Sequence, residues 1–380
     1  MVVPSTPLLP RVLILGAPFG AGHERVAGAL AEAFQAEGAQ VEVLDHFRAF
    51  VPPAFRRGAL ALFWATLRWT PRLWGLAYDL SARMGPRSPA MVGLGHLGAP
   101  ALRRHLEATR PDTVVHVHPT PAGALAWLES TSALRIPHGV VVTDFVAHSQ
   151  WLPVGLDRYF VASEAIRVDA IARGVPAERV VASGIPVAAA FAGPADRRAA
   201  RDALGLDDDR PAVLVTGGMR GTLGGIAEVS DALAATAVPF RAIVVCGDHR
   251  RLAAVLGSRY GADPRFRVLG RVSDMERLMA AVDLVLTKAG AVTAAEALAL
   301  GRPLVFFSSL PGQERANELY LERAGAAVRA ADRAALRRVL GELLGEPVRL
   351  APLAAVARQL ARPDAARVVA KEMLALVGPR

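Results

Sequence analysis

The chain has 380 residues, enough for two domains, and 52% hydrophobic against 21% charged residues supplies ample core and excludes intrinsic disorder. Its single cysteine, Cys246, excludes a disulfide framework and fits a reducing compartment. A formal net charge of +9 favours an anionic partner, whether nucleotide, anionic lipid or nucleic acid. The first residues have no basic n-region and an apolar run only a strand long, so no signal peptide is expected. No segment reaches the ~18 uninterrupted apolar residues of a membrane span. A cytoplasmic protein, soluble or peripheral, is the expectation.

Arg11 to Leu15 reads as a buried strand. It runs into the loop Gly16-Ala17-Pro18-Phe19-Gly20-Ala21-Gly22-His23 and a helix from about Glu24 to Glu37, with Ala27, Leu30, Ala31 and Phe34 as its apolar face. Val41 to Leu44 is the second strand, ending at Asp45. A dinucleotide-binding unit starts in the same way, but its glycines read G-x-G-x-x-G and these read G-x-x-x-G-x-G-H, so no nicotinamide or flavin is expected. His23 at the helix start is either a proton acceptor or a residue that meets only solvent or phosphate.

Residues 47 to 87 interleave Phe47, Phe50, Phe55, Phe63, Trp64, Trp69, Trp74 and Tyr78 with Arg48, Arg56, Arg57, Arg68, Arg72, Arg83 and Arg87. An interfacial segment uses this mixture, rings at headgroup level and cations on anionic lipid. A pair of core helices with a basic outer face has the same pattern. Single-stranded nucleic acid takes such mixtures too, but no RRM, KH or helicase signature accompanies this one, and no nucleic-acid partner is expected.

Pro89 to Arg110 reads as a helix and Thr113 to Val117 as a strand leading to His118-Pro119. With no Cys or Asp cluster beside them, His116 and His118 are not read as metal ligands. Val140 to Val142 is a strand closing on Thr143-Asp144-Phe145-x-x-His148-x-x-Trp151. An Asp directly after a strand can orient an imidazole or take a proton itself; it can also close a turn or cap a helix. Arg158 to Ala162 is a short strand, and Ser163 caps a helix to Ala172.

From Val187 to Pro211 the chain is rich in Ala, Asp and Arg, as an interdomain connection followed by a first helix would be. Ala212 to Thr216 opens a second sheet. Gly217-Gly218-Met219-Arg220-Gly221 is then a loop whose N–H groups can approach a phosphate or a sugar, or a plain turn. Ala242 to Cys246 and Phe266 to Leu269 are strands, the latter leading to Gly270-Arg271-Val272.

Val282 to Leu286 is a strand that runs into Lys288-Ala289-Gly290, and a helix begins near Val292. Backbone N–H groups and the positive end of the helix dipole make an anion site there. Glu296 sits one turn in, where a carboxylate can accept from a ribose diol. After the strand Leu304 to Phe307, Pro311-Gly312-Gln313-Glu314 and Asn317 form a second polar loop at the same sheet edge. Phosphate donors, a diol acceptor and further sugar-reading groups together describe a nucleotide-sugar site.

The series TKAG, Thr293, AEAL, Gly301-x-Pro303, PGQE and Asn317 resembles the donor-binding segment of the family 28 glycosyltransferases, among them the processive diacylglycerol glucosyltransferases and the monogalactosyldiacylglycerol synthases. The G-x-G-H at Gly20 to His23, His118-Pro119, and Thr143 to Trp151 resemble the same family, so the likeness covers nearly the whole chain. It implies the GT-B architecture, two Rossmann-like α/β domains facing across a cleft. Residues 1–187 would be the acceptor- and membrane-facing domain and 196–358 the nucleotide-sugar domain, with a helix in 360–380 returning to the first. His23 is implied as general base, with Asp144 as its partner or alternative. Gly22, His118, His148 and Trp151 would line the acceptor cleft. Gly218, Val272, Lys288, Ala289, Gly290, Thr293, Glu296, Gln313, Glu314 and Asn317 would hold the donor, main-chain groups around Val272 reading the base. The likeness also favours the membrane reading of residues 47 to 87, with Trp64, Trp69, Trp74, Arg68 and Arg72 on an anionic surface.

The implied reaction is inverting transfer of a hexose from UDP-glucose or UDP-galactose to a membrane lipid, most of all diacylglycerol, at the inner face of the cell membrane. Neither metal nor cofactor is expected, because the helix start at Gly290 to Thr293 can stabilise the leaving nucleoside diphosphate. A soluble or isoprenoid-linked acceptor, or a non-catalytic nucleotide-binding regulator, would fit the same donor segment.

Overall fold

A computed structural model of the chain describes residues 9–84, 96–193, 196–206, 209–217 and 225–378. It divides into two compact units: Met1–Ala189 with Asp364–Arg380, and Ala190–Pro363. No helix among the described residues is long and apolar enough to cross a membrane.

The first unit is built on six parallel strands, β1 (Arg11–Gly16), β2 (Gln40–Asp45), β3 (Thr113–His116), β4 (His138–Val141), β5 (Arg158–Phe160) and β6 (Val180–Val181), in the order β2-β1-β3-β4-β5-β6. In β1 every residue after Arg11 is buried. Such unbroken apolar runs are what a parallel strand covered on both faces requires, whereas β2, at the edge, stays partly open. One face of the sheet packs Leu13, Leu15 and Val114 against Leu102, Leu106, Leu125 and Leu128 of two helices.

Helix α1 runs from Ala21 to Ala36 and buries Val26, Leu30 and Phe34. It starts three residues before the expected Glu24, because Gly20 takes a φ of 141°, open to glycine and little else, and turns the chain into the helix at once. His23 therefore lies inside the first turn. Asp45 caps α2 (His46–Phe50), accepting the Arg48 N–H at 3.0 Å. Pro53 and Pro71 open α3 (Pro53–Trp69) and α4 (Pro71–Arg83), the position that proline favours. These two helices form a hairpin with little core of its own, Leu67 and Gly75 being their buried residues. Of the helix expected over Pro89 to Arg110, Ala99–Thr109 is helical, and 85–95, with Arg87, lie outside the described residues. The helix Ala365–Ala375 belongs to this unit as well. Met373 lies so close over Gly139 that a Cβ there would come within 2.8 Å of its sulfur.

The second unit repeats the plan with β7 (Ala212–Thr216), β8 (Arg241–Val245), β9 (Phe266–Leu269), β10 (Leu284–Thr287), β11 (Leu304–Phe307) and β12 (Ala327–Ala330), all parallel, in the order β12-β11-β10-β7-β8-β9. Strands alternating with helices that cover both faces make each unit a doubly wound, Rossmann-like α/β layer structure.

Candidate functional site

In the first unit the strand order reverses between β1 and β3. Loops leaving neighbouring strands at such a point diverge and open a crevice at the C-terminal edge of the sheet. That is where the sequence places its polar residues. The first turn of α1, directly after the β1 loop, delivers Gly22 and His23, the loop after β3 delivers His118, and the segment after β4 delivers Thr143, Asp144 and Trp151.

The His23 and His118 rings meet edge to face with centroids 5.1 Å apart. Trp151 lies 6.1 Å from the first and 6.3 Å from the second. Its indole N–H donates to Asp144 Oδ2 at 3.3 Å, and Thr143 Oγ1 is 3.4 Å from His23 Nδ1. His23 keeps part of its surface open while the ring lies among packed atoms, and that burial pulls its pKa down to about 4 against an opposing hydrogen bond to the Val117 backbone. Burial also holds His118 well below the usual range, with His23 and His46 adding repulsion, while its Nδ1 accepts the Thr120 N–H at 3.2 Å. Both imidazoles are therefore neutral near pH 7, and a neutral imidazole beside an open crevice can accept a proton.

His148 turns away from this group. It is 3% exposed and faces α4, with Nε2 3.0 Å from the Tyr78 carbonyl oxygen. Phe19, in the loop after β1, stacks on His118 at 5.5 Å and meets Phe47 at 4.8 Å and Phe63 at 5.2 Å. Phe63 carries Trp64 and Trp74 against it, at 5.2 and 5.3 Å. Those two tryptophans are thus partly buried, and Trp69 alone of the three stands out, 75% exposed with the Arg68 guanidinium over its ring. Arg68 and Arg72 are exposed. Beside Trp69 the hairpin exposes Phe55, Leu62, Leu73, Leu76 and Leu80. Sequence reading missed these leucines, although Leu62 lies seven residues from both Phe55 and Trp69 on α3, and Leu73, Leu76 and Leu80, spaced by three and four, mark one face of α4.

In the second unit the order reverses between β7 and β10. The loop after β7, including the expected Gly218, lies outside the described residues. After β10 the turn Lys288-Ala289-Gly290 leads into the helix Ala291–Ala299, whose start has no side-chain cap. Thr293 and Glu296 are buried on it, 7% and 3% exposed. The second polar loop is fastened to the first. Glu314 pairs with Lys288 and accepts the Leu310 N–H at 2.9 Å; Asn317 Nδ2 donates to the Ala289 carbonyl at 3.3 Å; the Ala289 N–H donates to Ser309 Oγ at 3.1 Å. Gln313, first in the helix Gln313–Arg323, is half-buried, and Val272 lies half-buried in the turn after β9. An uncapped helix start with buried polar groups around it can hold an anion. No group of three or more His, Cys, Asp or Glu among the described residues could hold a metal ion.

Comparison with known proteins bears on both edges. Residues 23–187 match the family model for monogalactosyldiacylglycerol (MGDG) synthase, and residues 212–369 match the glycosyltransferase family 28 C-terminal domain. A processive diacylglycerol beta-glucosyltransferase of Bacillus cereus (strain AH187) is 28% identical over 368 residues, 96% of this chain and 94% of that protein. A Bacillus anthracis protein of the same name matches with the same identity and coverage. The solved structure of Acinetobacter baumannii MurG aligns with a TM-score of 0.63 at 21% identity, over 96% of this chain and 99% of the other. The kitacinnamycin glycosyltransferase aligns with a TM-score of 0.62 at 17% identity, over 98% and 100%. These neighbours share the two-unit GT-B fold. With one family model on each half and sequence relatives along 96% of its length, the chain belongs to the family 28 glycosyltransferases.

Proposed function

We propose that the enzyme transfers a hexose from a UDP-sugar to a membrane lipid hydroxyl, that of diacylglycerol, with inversion at the anomeric carbon. The observation that carries this reading is the hairpin of α3 and α4. Its outer side exposes Phe55, Leu62, Trp69, Leu73, Leu76 and Leu80 among arginines, and its inner side reaches His118 through Phe63 and Phe19. A lipid acceptor stays in the bilayer, so the site must be brought to it. Apolar side chains rimmed by cations suit an anionic inner leaflet.

In this reading the acceptor oxygen attacks the anomeric carbon as its proton passes to His23, and the bond to UDP breaks with its electron pair. Neutral His23 is ready for that role, and Asp144, held by the Trp151 indole, stands by to orient or stabilise the charge that forms. The departing diphosphate lies at the helix start Ala291–Thr293, where backbone donors meet its growing charge without a metal or cofactor. Glu296 takes the ribose, main-chain groups at Val272 the base, and Gln313 the sugar. Lys288, Glu314 and Asn317 keep the two loops together.

The test is mass spectrometry of lipids after incubation with UDP-glucose or UDP-galactose and vesicles containing diacylglycerol. A hexosyl-diacylglycerol product is expected. Transfer only to a soluble or isoprenoid-linked acceptor, or UDP binding without any transfer, overturns the reading.

A further inference from the structure

Helix α4 has two faces. Leu73, Leu76 and Leu80 are exposed on one. Trp74, Tyr78 and Ser81, at i, i+4 and i+7, line the other and are partly buried. The inner face is fastened to the segment that carries Asp144. His148 Nδ1 accepts the Gln150 N–H at 3.2 Å, which leaves the ring proton on Nε2 to be donated to the Tyr78 carbonyl. The Ser149 hydroxyl donates to the Ala82 carbonyl at 2.6 Å, and the Tyr78 ring lies 4.1 Å from the imidazole at 31°.

So held, the Tyr78 hydroxyl is buried and has no hydrogen-bond partner among the described residues. A buried hydroxyl left unsatisfied costs folding free energy that phenylalanine would not. Burial, then the negative charges of Asp144 and Asp79, keep the phenol protonated, so it is a standing donor.

We propose that Tyr78 is an acceptor-binding residue of the transfer site: its hydroxyl, fixed beside the Asp144 segment by His148, donates a hydrogen bond to a glycerol-backbone oxygen of the lipid. This rests on the lipid-acceptor reading above. The same helix then meets the bilayer with its leucines and the acceptor with its tyrosine. His148 is a positioning residue, acting through Tyr78.

The test is Tyr78→Phe, assayed with dioleoylglycerol in phosphatidylcholine–phosphatidylglycerol vesicles and melted in parallel. Loss of one neutral hydrogen bond should lower kcat/KM for the lipid roughly threefold to tenfold. KM for the UDP-sugar should not move, and Tm should stay level or rise. His148→Gln, which keeps a donor near the Nε2 position, should retain more lipid turnover than His148→Ala. Wild-type activity in Tyr78→Phe, or a fall in its Tm, overturns the assignment, since either means the hydroxyl serves the fold or nothing. Equal losses in the two His148 variants overturn the positioning role. A wild type that glycosylates no diacylglycerol brings down the lipid reading and this inference together, a failure recognisable because the unmodified enzyme is silent.

Discussion

The two sheet edges share a plan and differ in what they are made of. Both open where the strand order reverses. In the first unit the crevice is lined by imidazoles that packing keeps uncharged, with a carboxylate held by an indole. In the second it is lined by an uncapped helix start and by carboxylate and amide groups already engaged with neighbouring loops. A group that must take a proton has to be neutral and free to change charge. A group that must hold a diphosphate should instead be a fixed dipole, which needs no reorganisation. Under the proposed function, one fold would support proton chemistry at one edge and anion binding at the other, by the choice of residues after each strand.

The largest test of this contrast is His23→Ala. Removing a placed base should lower kcat by ~10²–10⁴-fold, while calorimetry with UDP shows unchanged affinity, because the loss falls in the first unit. If Asp144→Asn abolishes turnover and His23→Ala does not, the proton goes to the carboxylate. At the other edge, Glu314→Ala removes both the Lys288 pair and the bond to Leu310 N–H. It should weaken UDP and UDP-sugar alike, by ~1.5–3 kcal/mol for a charged partner. Gln313→Ala should weaken only the sugar-nucleotide. Equal damage to UDP binding by both variants would erase the distinction between brace and sugar contact.

Acid should separate the units next. His23, His46, His116, His118 and His148 all have pKa values lowered by burial, and all belong to the first unit. Between the folded value, about 4 for His23, and the ordinary 6.5, the unfolded chain binds more protons than the folded one. Stability contributed by these groups is therefore complete above pH 6.5 and is lost as pH falls toward the folded value, about 1.4 kcal/mol for each pH unit that separates the two. Hydrogen exchange followed from pH 7 to 4.5 should show the first unit opening before the second. The smallest effect concerns the hairpin. Trp69→Ser should weaken sedimentation with anionic vesicles severalfold and leave Tm unchanged, whereas Trp64→Ser, against Phe63, should lower Tm. Raising salt should weaken wild-type binding without abolishing it, since screening over ~10 Å removes only the arginine share.

Strands β1, β7 and β10 were legible because a run such as VLIL or AVLVT has no alternation and must be buried on both faces. The residues gathered at the sheet edges were legible for the same reason: once a strand is recognised, the next polar residue falls at its C-terminal end. Direction was not legible. The spacing from Asp144 to Trp151 does not say that His148 faces α4, because a short turn at Ser149–Trp151 sends successive side chains different ways. Composition likewise grouped Trp64, Trp69 and Trp74, while packing against Phe63 divides them. Glu314 reads as a sugar ligand, and sequence does not show that Lys288, twenty-six residues earlier in the chain, pairs with it.

The first unit is discontinuous in sequence: the helix Ala365–Ala375, with Met373 closed over Gly139, completes a sheet whose strands all precede residue 182. During synthesis that sheet must wait, its β4 surface uncovered, until the whole of the second unit has been translated. The second unit, drawn from one unbroken stretch, needs no such delay. The order of maturation is therefore the reverse of the order of translation. The sheet edge of the second unit is finished first, and that of the first unit is sealed last.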